Sequence, residues 1–189
     1  NYDISADVLG YPESYYSPPT ESLSEIQVIR GAASLQYGTQ FGGLVNFKTN
    51  SPNPIKPLEV VIRNTFGSNQ LYTNFTSFSG TSNKLSYYAY VNYKKGDGFR
   101  PNSEFESKNI FSHFKYAFSP ETTLALEITY LDYLAKQAGG LNDRMFTSDP
   151  YQSVRSRNWF KVNWLLYNAK FTHSFSEQTK FSFNFFGLN

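Results

Sequence analysis

The chain has 189 residues and a net charge of +2, and 19% of its residues are aromatic although its mean hydropathy is −0.47. It contains no cysteine, which excludes disulfides and thiolate metal sites, and its mixed charges form no basic block that would favour nucleic acid. No window approaches the ~18 consecutive apolar residues of a transmembrane helix. Many aromatic residues with low hydropathy favour a transmembrane β-barrel, whose lipid face is apolar and whose interior is polar. Lectin-like and adhesive β-domains share this composition.

The first part of the chain, residues 1–54, is punctuated by glycines. Residues 25–47 form two apolar runs of strand-like composition around a glycine-rich stretch. Glycines permit positive φ and close backbone approach, as a small globule packed inside a barrel requires. Gln27, Arg30 and Asn46 are polar residues beside these runs, so we expect them to face a polar wall. The alternative is an ordinary glycine-rich hairpin.

A domain boundary is predicted in the segment from Ser51 to Pro57, which contains three prolines. Proline lacks a backbone donor and cannot sit inside a central strand or helix. We therefore expect an extended linker there, with one domain at 1–54 and a second at 55–189.

Seven antiparallel strands of about 10 to 15 residues are predicted from Leu58 onward, the length of a tilted membrane-spanning strand. Alternation with a period of two, which sends neighbouring side chains to opposite faces, is clearest in 85–93, 123–130 and 165–175. The last strand, 180–185, repeats it. The first, second and fourth strands, about 58–67, 70–80 and 104–118, alternate less cleanly, and their faces stay unassigned.

The connections between these strands differ in length. Short turns are expected at 81–83, 119–121 and 176–178, and longer loops at about 95–103 and 133–158, with a short link at 67–69. Outer-membrane barrels have short periplasmic turns and long external loops. We therefore expect 67–69, 95–103 and 133–158 at the cell surface. Seven strands cannot close a bacterial barrel, and an open edge in lipid is costly. We therefore expect the chain to be a piece of a longer protein.

No catalytic constellation is found in the sequence. The two histidines, His113 and His173, are interpreted as inner-face or interfacial polar residues, because no second ligand lies at useful spacing for a metal. Glu104 and Glu106 are interpreted as solvated charges and not as a glycosidase pair. We expect neither an enzyme nor a bound cofactor or metal.

Residues 25–47 resemble the C-terminal signature of the plug domain of TonB-dependent outer-membrane receptors. Three further runs, 10–19, 133–141 and 157–162, are similar to receptors of the ferric-dicitrate type. The residues that carry the signature are Ile26, Val28, Arg30, Gly31, Ala33, Tyr37, Gly38, Gly42, Gly43, Asn46 and Phe47.

The resemblance implies an all-β protein with mixed β elements in the plug, inside an antiparallel barrel of about 22 strands. It implies import of a scarce solute across the outer membrane of a Gram-negative bacterium, the transported ligand being an Fe(III) chelate such as ferric citrate or a siderophore. The implied partners are outer-membrane lipid and a TonB-type energy-transducing protein, whose binding segment is expected upstream of this chain. Arg30 and Asn46 are then expected to hold the plug against the barrel.

Candidate ligand-binding residues follow from the anionic surface of a ferric chelate, which suits guanidinium and amide groups. They are Gln36, Gln40, Arg100, Gln137, Arg144 and Arg155. For each, the alternative is a solvated surface residue.

Three other functions remain open from the sequence. The chain could belong to a structural or adhesive outer-membrane barrel, or to a soluble β-rich binding module. Within the same family, the cargo could be a glycan, a vitamin or a peptide.

Overall fold

A computed structural model describes residues 16–31 and 43–189. Gln36 and Gln40, and part of the glycine-rich signature, lie outside the described residues. Strands make up most of the described chain, in two separate antiparallel sheets. No helix within the described ranges is long and apolar enough to cross a membrane.

The smaller sheet is a two-stranded antiparallel pair in the N-terminal segment. A single 3₁₀ turn at Thr20–Ser22 leads into β1 (Leu23–Arg30), which pairs with β2 (Gly43–Thr49). Residues 50–58 then connect this pair to the larger sheet.

The larger sheet has seven strands in sequence order, each antiparallel to the next, which confirms the predicted architecture. The strands are β3 (Glu59–Phe66), β4 (Tyr72–Ser82), β5 (Leu85–Gly96), β6 (Phe105–Ala117), β7 (Thr122–Lys136), β8 (Trp159–Ser174) and β9 (Lys180–Leu188). The helix α1 (Asp143–Ser148) lies between β7 and β8.

Side chains along each strand alternate between an inner face, which packs against the N-terminal segment, and an outer face. One row of the inner face crosses five strands through Ser77, Tyr90, Phe111, Thr129 and Leu166. All five of these side chains are buried. The neighbouring row on the outer face includes Val91 and Ile110, which are 42% and 43% exposed. The alternation predicted for the third strand is therefore confirmed.

The inner face is not wholly polar. Phe75, Tyr88, Tyr90 and Phe111 form one buried aromatic cluster, and a second cluster is built around Leu131 and Trp164. Buried polar residues lie among them: the Tyr90 hydroxyl donates to Oδ1 of Asn109 at 2.9 Å. These large side chains lie between the sheet and the N-terminal segment, whereas the exposed outer face is mainly apolar.

The expected segregation of connections is seen, with one correction. Residues 83–84, 118–121 and 175–179 are short turns at one end, and 67–71, 97–104 and 137–158 lie at the other. The predicted start of the long loop at 133 was wrong, because β7 continues to Lys136. Tyr133 pairs with Val162 and Lys136 with Trp159, so these residues complete the backbone hydrogen bonding of β8.

Candidate functional site

The N-terminal segment is joined to the inner face of the larger sheet by an aromatic contact. Tyr16 meets Trp164 of β8 edge to face, with ring centroids 5.0 Å apart and planes at 77°. Tyr16 also packs against the cluster that contains Leu131 and Leu166. Burial raises the pKa of Tyr16 to about 12, because the charged phenolate is disfavoured away from water.

A second, polar contact is made where the N-terminal segment enters and leaves its hairpin. Oε1 of Glu21 is 3.4 Å from Nη1 of Arg63 on β3. The Asn50 side chain donates to the Glu21 carbonyl at 2.9 Å and reaches the Tyr88 hydroxyl at 3.5 Å. Asn50 therefore joins both ends of the hairpin to the wall formed by β3 to β5.

The linker docks through Asn53. Its main-chain N–H donates to Oγ of Ser79 at 2.7 Å, while its side-chain oxygen accepts from the N–H groups of Ile55 and Lys56, each at 3.0 Å. This turn reverses the chain, and the N–H of Thr81 then donates to the Lys56 carbonyl at 2.9 Å. The linker consequently enters β3 at the end of the sheet that has the short turns.

The two residues predicted to hold the segment against the sheet lie on opposite faces of the small hairpin. Asn46 donates to Gln27 across the hairpin at 2.9 Å. Arg30 is exposed at the end of β1, on the face that carries Val45 and Phe47, and forms no ion pair with any other described residue. Their contact with a barrel stays a prediction.

A cavity of about 400 Å³ lies between the hairpin β1–β2 and the inner face of the larger sheet. Val45 and Phe47 line one side, and Phe111 and Glu127 line the other. Oε2 of Glu127 is 3.9 Å from Nδ1 of His113 on the neighbouring strand. His113 is thus an inner-face residue, as expected.

The second histidine lies at the short-turn end of the outer face. Nδ1 of His173 is 2.8 Å from the hydroxyl of Thr122. In the described part of the chain, no group of three His, Cys, Asp or Glu side chains is placed to hold a metal ion. Glu104 and Glu106 each lie beside a lysine, at 3.5 Å from Lys136 and 3.1 Å from Lys108.

Three of the predicted ligand-binding residues meet at the other end of the sheet. Arg100, Gln137 and Arg155 line one cavity of about 550 Å³, together with Lys136. Arg144 lies on the exposed surface of α1 and does not line this cavity. The cavity lies between the loops 97–104 and 137–158 and carries several cationic side chains.

Comparison with known proteins gave matches among solved structures only. No protein-family model matches the chain, and no curated protein sequence matches it. The ferric citrate transporter FecA, in its unliganded form, is 24% identical with a TM-score of 0.70, over 86% of this chain and 26% of FecA.

Two other solved structures are also similar. The ferric-catecholate import receptor Fiu from E. coli K12 is 13% identical with a TM-score of 0.66, over 86% of this chain and 28% of Fiu. FpvA of P. aeruginosa, in a complex with a pyoverdine and iron, is 18% identical with a TM-score of 0.64, over 87% of this chain and 24% of FpvA.

The chain has the fold of a TonB-dependent receptor. It spans about a quarter of the length of each of these receptors. The two described sheets match plug and barrel strands of such receptors. The assignment of residues 1–54 to the end of the plug and of residues 55–189 to the barrel wall stays a prediction. The all-β, antiparallel fold expected from the sequence is thereby confirmed.

Four residues that dock the N-terminal segment on the larger sheet were not predicted from the sequence. These are Tyr16, Glu21, Asn50 and Asn53, and the predicted roles of Arg30 and Asn46 stay predictions. The position of Asn53 between two prolines could have predicted this turn, because an asparagine side chain commonly accepts a hydrogen bond from the backbone two residues ahead. Nothing local distinguished Tyr16 from the aromatic residues around it.

Proposed function

We propose that this chain is part of an outer-membrane receptor that imports a ferric chelate with energy from a TonB-type protein. The observation that supports this most is the plug segment packed on the inner face through Tyr16, Glu21, Asn50 and Asn53. In a closed barrel, a segment of the chain packed on the inner face would obstruct the route of a solute. Such a protein needs an external energy source to rearrange the plug.

The membrane position follows from the two faces of the wall. Outer-face side chains such as Val91, Ile110 and Ile128 are between 42% and 44% exposed. In a membrane, these apolar side chains would make favourable contacts with lipid. The linker enters β3 beside the short turns, so that end is assigned to the periplasm. The loops 67–71, 97–104 and 137–158 are then at the cell surface.

The proposed cargo is an Fe(III) chelate, either ferric citrate or a siderophore. The cavity between the outer loops carries Arg100, Lys136 and Arg155, and cationic side chains attract the anionic surface of such a chelate. Gln36 and Gln40 of the plug, and Arg144 on α1, remain candidate ligand-binding residues outside this cavity.

The test is uptake of ⁵⁵Fe by cells that express the intact receptor in a strain lacking its own ferric-chelate receptors. Ferric citrate, a hydroxamate and a catecholate chelate are supplied separately under iron limitation. We expect uptake of at least one chelate, and we expect its loss when the proton gradient is collapsed. Equal uptake with and without the receptor for every chelate would refute the proposal, and a glycan, vitamin or peptide would become the next cargo to test.

A structural or adhesive barrel is the second candidate, because the long outer loop exposes apolar side chains. Phe146 and Tyr151 are 62% and 63% exposed, as in a surface that contacts another macromolecule. For an adhesin, deletion of residues 1–54 from the intact protein would leave adhesion of the cells unchanged. For an importer, the same deletion abolishes energy-dependent uptake.

A further inference from the structure

The short outer loop 97–104 is a rigid turn built around Ser103. Its hydroxyl accepts from the N–H of Arg100 at 3.2 Å and donates to the carbonyl of the same residue. Asn102 has φ of +59°, a conformation that asparagine adopts more readily than most residues. This turn therefore fixes the directions in which the side chains of Arg100 and Asn102 leave the loop.

The guanidinium of Arg100 bridges the two arms of the long outer loop 137–158, which are its first residues, 137–140, and its last residues, 152–158. Nη2 donates to the carbonyl of Gly139 at 2.6 Å, and Nη1 approaches the carbonyl of Gln152 at 3.5 Å. A planar guanidinium presents several donors in a fixed fork. One side chain thus holds both arms of the neighbouring loop at once.

Asn102 repeats this bridge at the base of the same loop. Its side-chain nitrogen donates to the carbonyl of Gln137 at 2.9 Å and approaches the carbonyl of Asn158 at 3.3 Å. Gln137 and Asn158 are themselves joined by a backbone hydrogen bond of 2.9 Å. All four acceptors of Arg100 and Asn102 are main-chain carbonyls. These contacts therefore depend on the backbone conformation of the long loop and not on its side chains.

The two arms meet closely at Gly139. This residue has φ of +84°, and a Cβ atom on it would lie 2.6 Å from Val154 and 3.1 Å from Arg155. The N–H of Val154 also donates to the carbonyl of Ala138 at 3.0 Å. Closure of the arms therefore places the side chain of Arg155 beside Gly139, at the cavity between the two loops.

We propose that Arg100 and Asn102 are positioning residues that clamp the loops 97–104 and 137–158 into one preorganised body. The clamp fixes Arg155 and Lys136 at the cavity, so Arg100 acts on solute affinity through loop geometry as well as through its charge. The effect on a solute rests on the proposed import function, whereas the clamp itself does not. A preorganised site saves the entropy of ordering its loops on binding.

Hydrogen exchange of the intact receptor, without any ligand, tests the clamp. The variants are Arg100→Ala, Arg100→Lys and Asn102→Ala, and the control is Arg157→Ala, since Arg157 is an exposed arginine of the same loop that has no hydrogen bond to a described residue. We expect faster exchange across 137–158 in the first three variants and no change in the control. Unchanged exchange in both Arg100→Ala and Asn102→Ala would overturn the proposal.

Binding of ⁵⁵Fe-labelled ferric citrate separates geometry from charge. Lysine keeps the charge at position 100 but cannot span two carbonyls, so Arg100→Lys should lose roughly tenfold in affinity, nearly as much as Arg100→Ala, which also removes the charge. Arg155→Lys should retain more affinity than Arg155→Ala. Wild-type affinity in Arg100→Lys together with a loss in Arg100→Ala would assign Arg100 to a direct charge contact and overturn its positioning role.

The two proposals fail in different ways. If the wild-type receptor binds neither ferric citrate nor another chelate, the import function is wrong, and hydrogen exchange still decides whether the clamp exists. If Arg100→Ala does not insert into the membrane, Asn102→Ala provides the same readout from the base of the loop.

Discussion

The carbonyl oxygen of Pro57 lies against Gly80 of β4, in space that a side chain on Gly80 would occupy. The hydroxyl of Tyr87 donates to the same carbonyl at 2.8 Å. Glycine at position 80 therefore permits the close approach of the linker as it leaves the plug and enters the wall. The absence of a Cβ, and not an unusual φ, is the reason for glycine here.

Gly80→Ala should weaken the junction between plug and wall. The added methyl group collides with the backbone at Pro57 and cannot be relieved by a flexible side chain, so a cost of about 1–3 kcal/mol in the free energy of unfolding is expected. Urea unfolding of the intact receptor in lipid vesicles measures it. Ser82→Ala, at an exposed position on the same strand, is the control. Equal stability of Gly80→Ala and the wild type would contradict the close approach.

The edge-to-face pair of Tyr16 and Trp164 should couple plug and wall energetically. Aromatic pairs of this geometry contribute about 0.5–1.5 kcal/mol beyond their buried area. A double-mutant cycle with Tyr16→Leu and Trp164→Leu, followed by urea unfolding, should give a coupling energy in that range. Additive effects of the two changes would show that the rings do not interact in the intact receptor. The control is the same cycle with Tyr16→Leu and Trp159→Leu, which should be additive because Trp159 is exposed.

The ion pair between Glu21 and Arg63 should contribute less than the aromatic pair, although it also joins plug to wall. The two side chains are 24% and 62% exposed, at a distance of 3.4 Å, and exposed pairs typically contribute about 0.2–1 kcal/mol. Glu21→Gln should therefore lower the free energy of unfolding by no more than this, and the loss should shrink at high salt. A loss of several kcal/mol that salt does not reduce would mean that this pair is buried in the intact receptor.

Local sequence patterns predicted the wall well because its strands obey a period of two. The unassigned faces of the second and fourth strands have a physical explanation. Phe75 and Phe78 of β4 lie on opposite faces, as do the adjacent residues Ile110 and Phe111 of β6. Aromatic and aliphatic residues are needed on the outer face and also against the plug segment, so the apolar pattern of these strands does not alternate.

The contacts between distant segments were not predictable in this way. Tyr16 and Trp164 are brought together only by the packing of the plug on β8, which no local pattern encodes. Arg100 lies in the loop between β5 and β6, as predicted, but its hydrogen bonds to Gly139 and Gln152 depend on the path of another loop. Sequence reasoning identified the residue type suited to anions and could not show that its donors are directed at backbone carbonyls.

Gly139→Ala and Gly140→Ala form a matched pair at adjacent positions. Gly139 has positive φ and no room for a Cβ, whereas a Cβ on Gly140 would have no atom within 4 Å. Gly139→Ala should therefore open the long loop and speed hydrogen exchange across 137–158. Gly140→Ala should leave exchange unchanged. The same exchange in both variants, whether fast or slow, would mean that the arms of the loop do not meet at Gly139.

The apolar outer face provides the last prediction. Ile110 lies near the middle of β6 and is 43% exposed. If the outer face meets lipid, Ile110→Lys should cost about 2–4 kcal/mol near the bilayer midplane. If it meets water, the cost should be close to zero, because the lysine would be solvated. The measurement is urea unfolding of the intact receptor from lipid vesicles.

Two controls make the result of Ile110→Lys specific. Ile110→Val retains an apolar side chain and should cost no more than about 0.5–1.5 kcal/mol. Thr147→Lys introduces the same charge on the exposed helix α1, outside the wall, and should be neutral. A neutral Ile110→Lys would remove the lipid-facing role of β3 to β9, and with it the assignment of the outer loops to the cell surface.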